Sequence, residues 1–354
     1  MKFEGKNLIG LDIGTAFVKV VQLKESSKGL HLQKFGMEPL PPQTIVDGNI
    51  MNSDSVVEAE QRLFRDLGIR QKEVSLSISG HSVIIKKLSL PLMRAEELED
   101  QIPWEAEQHI PFEINDVEID YEVLQKHDDL GQMDVLLVAA KKTEISDYAQ
   151  IAREAKLKPL VIDIDAFALQ NAYEVNYGIT PGEIIALLNI GASLTTLNII
   201  KGGATVFTRD IANGGNPITE EIQKQLNVSY EQAEIYKTGG EIDSTEVVPE
   251  EVDAIVEQVV ESLAGEIQRS LDFYMATTSG EDVSRIFVSG GTSQIALLIQ
   301  AIERRARVPV EPMDPFRRLI IDERQFDPVA LRSMAAQAAV CIGLGLRKQR
   351  EKIE

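Results

Sequence analysis

The 354-residue sequence contains one cysteine, Cys341, and no apolar run approaching the ~18 residues of a membrane-spanning helix. A single cysteine excludes a disulfide framework and is typical of a protein in a reducing compartment. The start of the chain, Met1–Lys6, is polar and does not resemble a secretory signal. We therefore expect a cytoplasmic protein without direct membrane insertion, which reaches a membrane only through a partner.

Basic residues are also scarce, because 36 Lys and Arg stand against 56 Asp and Glu and the net charge is −20. Nucleic acids and anionic lipids are bound by Lys and Arg. The composition therefore argues against a nucleic-acid-binding protein and against adsorption of the bulk surface to a membrane. Hydrophobic residues at 44% and charged residues at 26% are ordinary for a globular protein long enough for two domains.

The main feature that is present is a strand–turn–strand segment near the start of the chain. Leu8–Ile13 is an apolar run that predicts a buried strand, and Val18–Leu23 predicts the returning strand. Backbone N–H groups at the turn and the Lys19 ammonium suit a phosphate chain, while Asp12 suits a hydrated Mg²⁺ ion. Asp-x-Gly alone is a weak signal, and an ordinary hairpin is the simpler interpretation. The turn consists of small residues, Gly14, Thr15 and Ala16.

The same pattern returns in the middle of the chain, at Ile185–Leu197. Asn189 takes the place of Asp12 there, between the same apolar strand and the same β-branched return. Such self-similarity indicates an internal duplication. Two lobes that each offer a hairpin of this kind predict one nucleotide held between them. The small residues of the second turn are Gly191, Ala192 and Ser193.

Further ligand-binding signals follow in the second half. Ile286–Ser293 predicts a buried strand that ends in a diglycine, before a helix from Gln294 to Arg304. A diglycine lets a ring or ribose approach the backbone, and a helix N-terminus favours an anion. Glu234 and Lys237 share a helix face, where a solvent-exposed ion pair is the simpler interpretation. The glycine turns supply the candidate cofactor contacts Gly214, Gly215, Gly290, Gly291 and Thr292.

Two aspartates, Asp163 and Asp165, lie where a predicted strand meets a predicted helix from Ala166 to Val175. Such junctions often face ligands in α/β folds. For Asp165, capping of the helix is the alternative interpretation.

The composition changes in the range 86–156, which we interpret as an inserted α/β subdomain. Between Ala95 and Glu122 there are eleven acidic residues and no Lys or Arg. A solvated face is one interpretation of this acidic stretch. A partner surface is the other, because Trp104, His109 and Phe112 lie within it.

In this order, the motifs resemble those of the actin, sugar-kinase and chaperone ATPase superfamily. Asp12-x-Gly14 with Lys19 resembles its first phosphate motif, Asn189-x-Gly191 its second, and Ser289–Ser293 its adenosine motif. The resemblance implies an α/β, two-lobed actin-like ATPase fold with duplicated ribonuclease-H-like lobes and an inserted α/β subdomain. It also implies that Asp163 positions water and that Glu234 and Lys237 contact adenosine.

The predicted division follows from this fold. Lobe I is 1–85 with 157–180, the insert is 86–156, lobe II is 181–210 with 285–354, and 211–284 is an accessory subdomain of lobe II.

Within the superfamily, the chain resembles the PilM family of type IV pilus assembly proteins. The insert also resembles that of the cell-division protein FtsA, but the charged tail Lys348–Glu354 lacks the amphipathic helix that ends FtsA-like proteins. The PilM resemblance implies docking of the cytoplasmic tail of the inner-membrane protein PilN in a groove beside the insert, together with other pilus assembly components. The resemblance does not decide whether the chain forms a homo-oligomer. The segments that carry it are Ile9–Gly14, Ser89–Pro91, Pro103–Phe112 and Asp163–Leu169.

The hypothesis is therefore a nucleotide-dependent switch that holds ATP and Mg²⁺ between its lobes. Asn189 replaces the aspartate usual at the second motif, and an amide is neither a base nor a strong partner for Mg²⁺-bound water, so we expect slow hydrolysis or none. The alternatives are an FtsA-like cell-division or type II secretion scaffold, a small-molecule kinase with Asp163 or Asp165 as its base, and a scaffold that binds no nucleotide.

Overall fold

The computed structural model describes residues 5–239, 248–278 and 281–349. Gly240, a residue type that predicts the end of a helix, and positions 350–354 of the charged tail lie outside the described residues. The first half of the chain contains β1 (Ile9–Ile13), β2 (Phe17–Ser26), β3 (Gly29–Pro39), β4 (Ile45–Val46), β5 (Asn49–Ile50), α1 (Ser53–Asp66), β6 (Glu73–Ile78), β7 (Val83–Pro91), α2 (Ala95–His109), β8 (Val117–His127), β9 (Gln132–Lys141), α3 (Lys142–Glu154), β10 (Lys158–Ile164) and α4 (Asp165–Tyr177).

The second half follows the same plan without the insert. Its elements are β11 (Ile184–Ile190), β12 (Thr195–Lys201), β13 (Ala204–Ile211), α5 (Asn216–Leu226), α6 (Tyr230–Thr238), α7 (Glu251–Thr277), β14 (Arg285–Ser289), α8 (Ala296–Ala306), β15 (Val310–Pro312), α9 (Pro328–Met334) and α10 (Ala339–Gly345).

The two halves build sheets of the same topology. Lobe I has the strand order β3-β2-β1-β6-β10, and lobe II has β13-β12-β11-β14-β15. In each sheet the first three strands along the chain are antiparallel neighbours, and the last two run parallel to the first. The predicted duplication is confirmed, because corresponding strands take corresponding places.

The lobes share an apolar core at their base, where α4 and α10 pack together. Leu169 of α4 and Ile342 of α10 are buried with Leu187 and Phe287 of the second sheet. A Cβ atom on Gly343 would lie 1.8 Å from the carbonyl oxygen of Ala168, so only glycine permits these two helices to approach so closely.

The insert is a three-stranded antiparallel sheet in the order β7-β9-β8, with α2 packed on one face. Helix α3 falls within the predicted range 86–156, yet Tyr148, Ile151 and Ala152 are buried in the core of lobe I. The predicted end of the insert was therefore too late, because the apolar face of α3 is covered by the first lobe.

Three helix starts differ from those that residue type alone predicts. Ser53 is a common capping residue, but helix α1 is capped by Asn52, whose side chain accepts from the Ser55 N–H. Thr143 is another common capping residue, but helix α3 begins at Lys142 without a side-chain cap. The helix predicted from Gln294 begins only at Ala296, because a 3₁₀ turn over Gly291–Gln294 follows the diglycine.

The Ala-rich composition from Ser333 to Leu346 predicts one closing helix, but this stretch does not form a continuous helix. A 3₁₀ turn, Ala335–Gln337, separates α9 from α10, and the chain bends there by 92°. The bend lets the Ala336 carbonyl accept a hydrogen bond of 2.6 Å from the Gly290 N–H. In the part of the chain that the structure describes, no single helix is long and apolar enough to cross a membrane, and only this bent pair reaches that composition.

Candidate functional site

A cleft of about 1080 Å³ lies between the lobes. Both duplicated turns line it, together with the diglycine and one face of α6. The predicted residues among its lining are Asp12, Gly14, Thr15, Ala16, Lys19, Asn189, Gly191, Ala192, Ser193, Glu234, Lys237, Gly290, Gly291 and Thr292. Tertiary structure thus brings fourteen residues together that the sequence spreads over most of the chain, and their roles stay predictions.

The first turn carries an ion pair at its base. Asp12 and Lys19 are directly opposite each other in the β1–β2 register, and the Lys19 Nζ lies 2.8 Å from the Asp12 Oδ2. The Gly14 N–H donates to the Phe17 carbonyl at 3.0 Å, which closes the turn. Burial by itself lowers the pKa of Lys19, but the charge of Asp12 and its hydrogen bond outweigh burial and leave that pKa raised. The turn therefore keeps a cation beside its N–H groups.

The second turn has the same geometry without the ion pair. Asn189 lies opposite Thr196, and the Gly191 N–H donates to the Leu194 carbonyl at 2.9 Å. The Ser289 hydroxyl donates to the Asn189 Oδ1 at 3.3 Å. The second turn is thus a neutral copy of the first.

Two hydrogen bonds among the described residues join the lobes across the cleft. The hydroxyls of Thr15 and Ser193, at the tips of the two turns, share a hydrogen bond of 2.7 Å. The Gly80 N–H, just before the insert, donates to the Asp210 Oδ2 of β13 at 2.5 Å. These contacts describe a closed arrangement of the lobes.

The diglycine packs against the end of β11. Gly290 has a φ of +87°, and a Cβ atom there would lie 2.3 Å from the Ile190 carbonyl oxygen. Thr292 donates to the Gly191 carbonyl at 2.7 Å, so the diglycine segment supports the second turn. The close approach of Gly290 to Ile190 and the hydrogen bond from Thr292 hold the backbone of this segment at the wall of the cleft.

Glu234 and Lys237 share one face of α6, as predicted. The Lys237 Nζ lies 2.5 Å from the Glu234 Oε1, and both groups contact the Thr219 hydroxyl. The Lys237 side chain is only 8% exposed, so this pair is not the solvent-exposed pair of the simpler interpretation.

Gly214 and Gly215 lie behind the second turn and not on the cleft wall. A Cβ atom on Gly214 would lie 2.5 Å from the Gly191 carbonyl oxygen, and the Gly215 N–H donates to that same carbonyl at 3.0 Å. Their prediction as cofactor contacts does not fit this placement, because their backbone positions the second turn.

Asp163 does not line the cleft either. Its Oδ2 accepts a hydrogen bond of 2.7 Å from the Arg347 Nε, and its Oδ1 accepts from the Ile164 N–H. The assignment of Asp163 as a catalytic residue is therefore corrected, since its carboxylate is engaged away from the cleft. The chain enters α4 at Asp165, and this residue lines the cleft instead.

The strand–helix junction predicts that Asp165 faces a ligand, caps the helix or serves as a kinase base, whereas no sequence signal points to Asp210. Ser77 donates to the Asp165 Oδ1 at 2.5 Å, and the residue is not the helix cap, which is Ile164. Burial, and then the charge of Asp12, raise the pKa of Asp165 to about 6. Burial also raises the pKa of Asp210, against the hydrogen bonds from Gly80 and Thr196. Asp165 had a signal, its strand–helix junction, whereas Asp210 inside a strand had none.

Asp12, Asp165 and Asp210 all line the cleft, so carboxylates from both lobes face one space. Within the described ranges, no group of three or more His, Cys, Asp or Glu side chains is close enough to hold a metal ion directly. This arrangement fits Mg²⁺, which usually keeps several waters and binds through one or two carboxylates and substrate phosphates. Asp12, next to the first turn, stays the residue predicted to hold such a water.

Two duplicated lobes that close on a cleft, each contributing the same turn, define a protein of the actin-like ATPase fold. The chain belongs to the family described as type IV pilus assembly protein PilM, whose model matches residues 10–349.

The chain is also similar to solved structures and to a curated relative. The chain is similar to a PilM-PilN type IV pilus biogenesis complex, with 25% identity, a TM-score of 0.86, and coverage of 98% of this chain and 100% of that one. It shares the fold of MreB5 of Spiroplasma citri bound to AMPPNP, with 13% identity, a TM-score of 0.53, and coverage of 96% and 95%. It is 24% identical over 257 residues to FtsA of Bacillus subtilis, covering 65% of this chain and 57% of FtsA. The match thus spans less than two thirds of that relative.

Proposed function

We propose that the chain binds ATP with Mg²⁺ in the cleft and acts as a nucleotide-dependent switch in the type IV pilus assembly platform. The observation that carries the proposal is the pair of equivalent turns, Gly14–Ala16 and Gly191–Ser193, facing each other across the cleft. Turn N–H groups are a common way to hold phosphate oxygens. The ligands AMPPNP and ADP in two structures of MreB5 support a nucleotide in a cleft of this fold.

Each turn has its own part in this proposal. The first turn and Lys19 hold the β- and γ-phosphates, and Asp12 holds Mg²⁺ through water. The second turn closes on the phosphates from lobe II. The adenosine lies between the diglycine segment Gly290–Thr292 and the face of α6 that carries Glu234 and Lys237.

The same geometry favours binding over rapid hydrolysis. Asn189 occupies the place that corresponds to Asp12, and its amide cannot take a proton from water. We therefore propose slow turnover or none.

The switch would act on the insert. The cleft extends from the turns to Ile85 of β7 and to Ile45 and Tyr148 of lobe I, so the insert and the nucleotide site share one continuous space. The Gly80–Asp210 hydrogen bond ties lobe II to the residue that leads into β7. Lobe closure around a ligand then changes the position of the insert relative to lobe I.

The partner we propose for this groove is the cytoplasmic tail of a PilN-like inner-membrane protein, with other pilus assembly components around it. The solved PilM-PilN complex supports this choice. Docking on such a tail would place the chain at the cytoplasmic face of the inner membrane without insertion of its own.

The test of nucleotide binding is calorimetry of ATP with Mg²⁺, with phosphate release followed in the same samples. We expect saturable binding by the wild type, a loss of at least about tenfold in affinity for Asp12→Ala, and little turnover. Asp129→Ala, which removes a carboxylate from an exposed turn of the insert, is the matched control and should bind normally. Absence of binding by the wild type would leave a scaffold without nucleotide, and rapid turnover would favour an enzyme.

The partner is tested separately with a peptide of the cognate PilN-like cytoplasmic tail. Ile85→Asp places a charge in the groove and should abolish peptide binding, whereas Val329→Asp changes an apolar residue that is 74% exposed elsewhere and should not. Equal peptide affinity with and without ATP–Mg²⁺ would contradict the switch while leaving the docking itself intact.

A further inference from the structure

A second cavity, of about 210 Å³, lies at the other end of the lobe II sheet from the cleft. Glu183, just before β11, and Arg285, the first residue of β14, are part of its lining. The carboxyl ends of these parallel strands, near Asn189 and Gly290, belong to the cleft. The two sets of lining residues do not overlap, so this cavity is a separate site.

One wall of the cavity is a cluster of three aromatic rings. Tyr173 and Tyr177 of α4 stack with centroids 5.1 Å apart and an interplanar angle of 2°. Phe287 of β14 lies against both, at 5.0 and 4.8 Å. Because these rings come from both lobes and belong to the shared core, they form a rigid wall.

Three arginines line the same cavity. The Arg317 Cζ lies 4.8 Å from the centroid of the Tyr177 ring, and Arg318 follows it in the chain. Within the described ranges, neither Arg317 nor Arg318 has an ion pair with a carboxylate, whereas Arg285 pairs with Glu311 at 2.7 Å. Glu183 is the acidic residue among the described lining. A chain with a net charge of −20 thus presents an excess of positive charge here.

The loop that carries the two unpaired arginines is held by a buried amide. Asn176 of α4 is fully buried, and its Oδ1 accepts from the Arg318 N–H at 2.9 Å. Its Nδ2 donates to the Pro315 carbonyl at 2.8 Å. The Asp314 N–H also donates to the Tyr177 hydroxyl at 2.9 Å. Because the backbone is fixed in advance, binding to these guanidinium groups costs less conformational entropy.

We propose that this cavity binds an oxyanion group, a phosphate or a carboxylate, on the guanidinium groups of Arg317 and Arg318 beside the Tyr177 ring. Guanidinium groups are the side chains best matched to the two-pronged geometry of both anions. The cavity is smaller than the ~300–1,000 Å³ of pockets for whole drug-sized ligands, so it suits one anionic group. Both sources, a free phosphate compound and an acidic side chain, share this chemistry.

The position of the cavity gives such an anion a structural role. The chain crosses from lobe I to lobe II between Tyr177 and Ile184, directly beside it. The loop with the arginines continues to Ile320, whose N–H donates to the Leu30 carbonyl of β3 in lobe I at 2.8 Å. An anion bound here would therefore stabilise the crossing point of the two lobes.

The test is NMR of the full chain with ¹⁵N-labelled arginine, in which the Nε–Hε signals report each guanidinium. Inorganic phosphate and glutarate are titrated in separate samples. Each anion replaces chloride, so that the ionic strength stays constant. We expect saturable shifts of the Arg317 and Arg318 signals with at least one of the two anions, and no saturable shift of Arg70, which is exposed elsewhere in lobe I.

Variants decide whether the effect is local. In Arg317→Ala/Arg318→Ala, the Arg285 signal reports anion binding, and we expect the affinity to fall at least about tenfold. Arg70→Ala/Arg153→Ala removes two other exposed arginines and should leave it unchanged. If the first double variant fails to fold, Arg317→Lys/Arg318→Lys keeps the charge, loses the fork geometry, and should still weaken binding.

Each outcome decides the proposal. Saturation by phosphate alone indicates a phosphate compound, and saturation by glutarate indicates an acidic side chain. Shifts that do not saturate, or that are equal in the two double variants, overturn the proposal. Arg285, Arg317 and Arg318 line this cavity and not the cleft, so their signals distinguish this result from binding at the ATP site.

Discussion

Thr15 and Ser193 are 178 positions apart in the chain, and their hydroxyls share a hydrogen bond of 2.7 Å across the cleft. Each belongs to the turn of its own lobe, between strands of equivalent register. The contact lies where a phosphate chain would enter under the proposed function. It offers a direct measure of how strongly the two lobes hold each other closed.

This contact should appear as a coupling free energy. We expect Thr15→Val and Ser193→Ala each to lower the free energy of unfolding by about 0.5–1.5 kcal/mol. Because they remove the same bond, the double variant should lose less than the sum of the single losses. Denaturant unfolding of the four proteins measures this, and strict additivity would show that the hydroxyls do not interact in solution.

Because Glu60 is buried, we expect the free energy of unfolding to depend on pH in an unusual way. It is fully buried in α1, and among the described residues neither carboxyl oxygen has a hydrogen-bond partner. Burial raises its pKa from 4.5 to about 8. Between these values the folded protein keeps a proton that the unfolded chain has released, so stability falls as pH rises from 4.5 toward 8, by up to about 1.4 kcal/mol per pH unit.

The measurement is the free energy of unfolding from pH 4.5 to 9 for the wild type and Glu60→Gln. The variant cannot release the proton, so we expect its stability to lack this decline. Glu58→Gln changes an exposed neighbour on the same helix and should retain the decline. A wild-type profile that is the same as that of Glu60→Gln would mean that Glu60 titrates normally.

Asn189→Asp tests why hydrolysis is expected to be slow. The substitution puts a carboxylate where the duplicated turn has Asp12, opposite Thr196. Under the proposed function we expect turnover to rise at least about tenfold, because a carboxylate holds Mg²⁺-bound water more strongly than an amide does. Phosphate release measured at saturating ATP gives the answer, and an unchanged rate would exclude the amide as the cause.

Two helical glycines should respond in opposite directions to alanine. Gly343→Ala places a Cβ atom 1.8 Å from the Ala168 carbonyl oxygen, so the helices at the lobe junction must separate. We expect a loss of several kcal/mol, in the range of severe core changes. Gly265→Ala in α7 meets nothing closer than 3.7 Å and should gain up to about 1 kcal/mol from helix propensity. Thermal unfolding compares them, and similar shifts for both would contradict the close crossing.

Local pattern was enough to identify the turns and the duplication. Leu8–Ile13 and Ile185–Ile190 are apolar runs next to small residues, and both became strands paired with their own returns. The buried stripe of α7 was equally readable, because its apolar residues recur with the helical period. These signals lie within one segment each, so no knowledge of distant partners was needed.

The errors fall where distant partners decide. Asp163 and Asp165 looked alike in the sequence. In the structure, Asp163 forms an ion pair with Arg347, whereas Asp165, at the start of α4, lines the cleft. The break between α9 and α10 brings the Ala336 carbonyl to the Gly290 N–H, and the apolar face of α3 packs against lobe I and not against the insert. Each of these contacts joins segments that the chain order keeps apart.

By itself, the sequence determined a duplicated α/β protein with paired turns suited to phosphate, because hydrophobic period and glycine placement are local properties. Only the tertiary structure decided which carboxylates face the cleft and that the lobes touch at Thr15 and Ser193. It also decided that Arg317 and Arg318 line one cavity with Tyr177 and have no ion pair with a carboxylate among the described residues. The physical reason is that side-chain direction, burial and charge pairing depend on neighbours that folding brings together from distant positions.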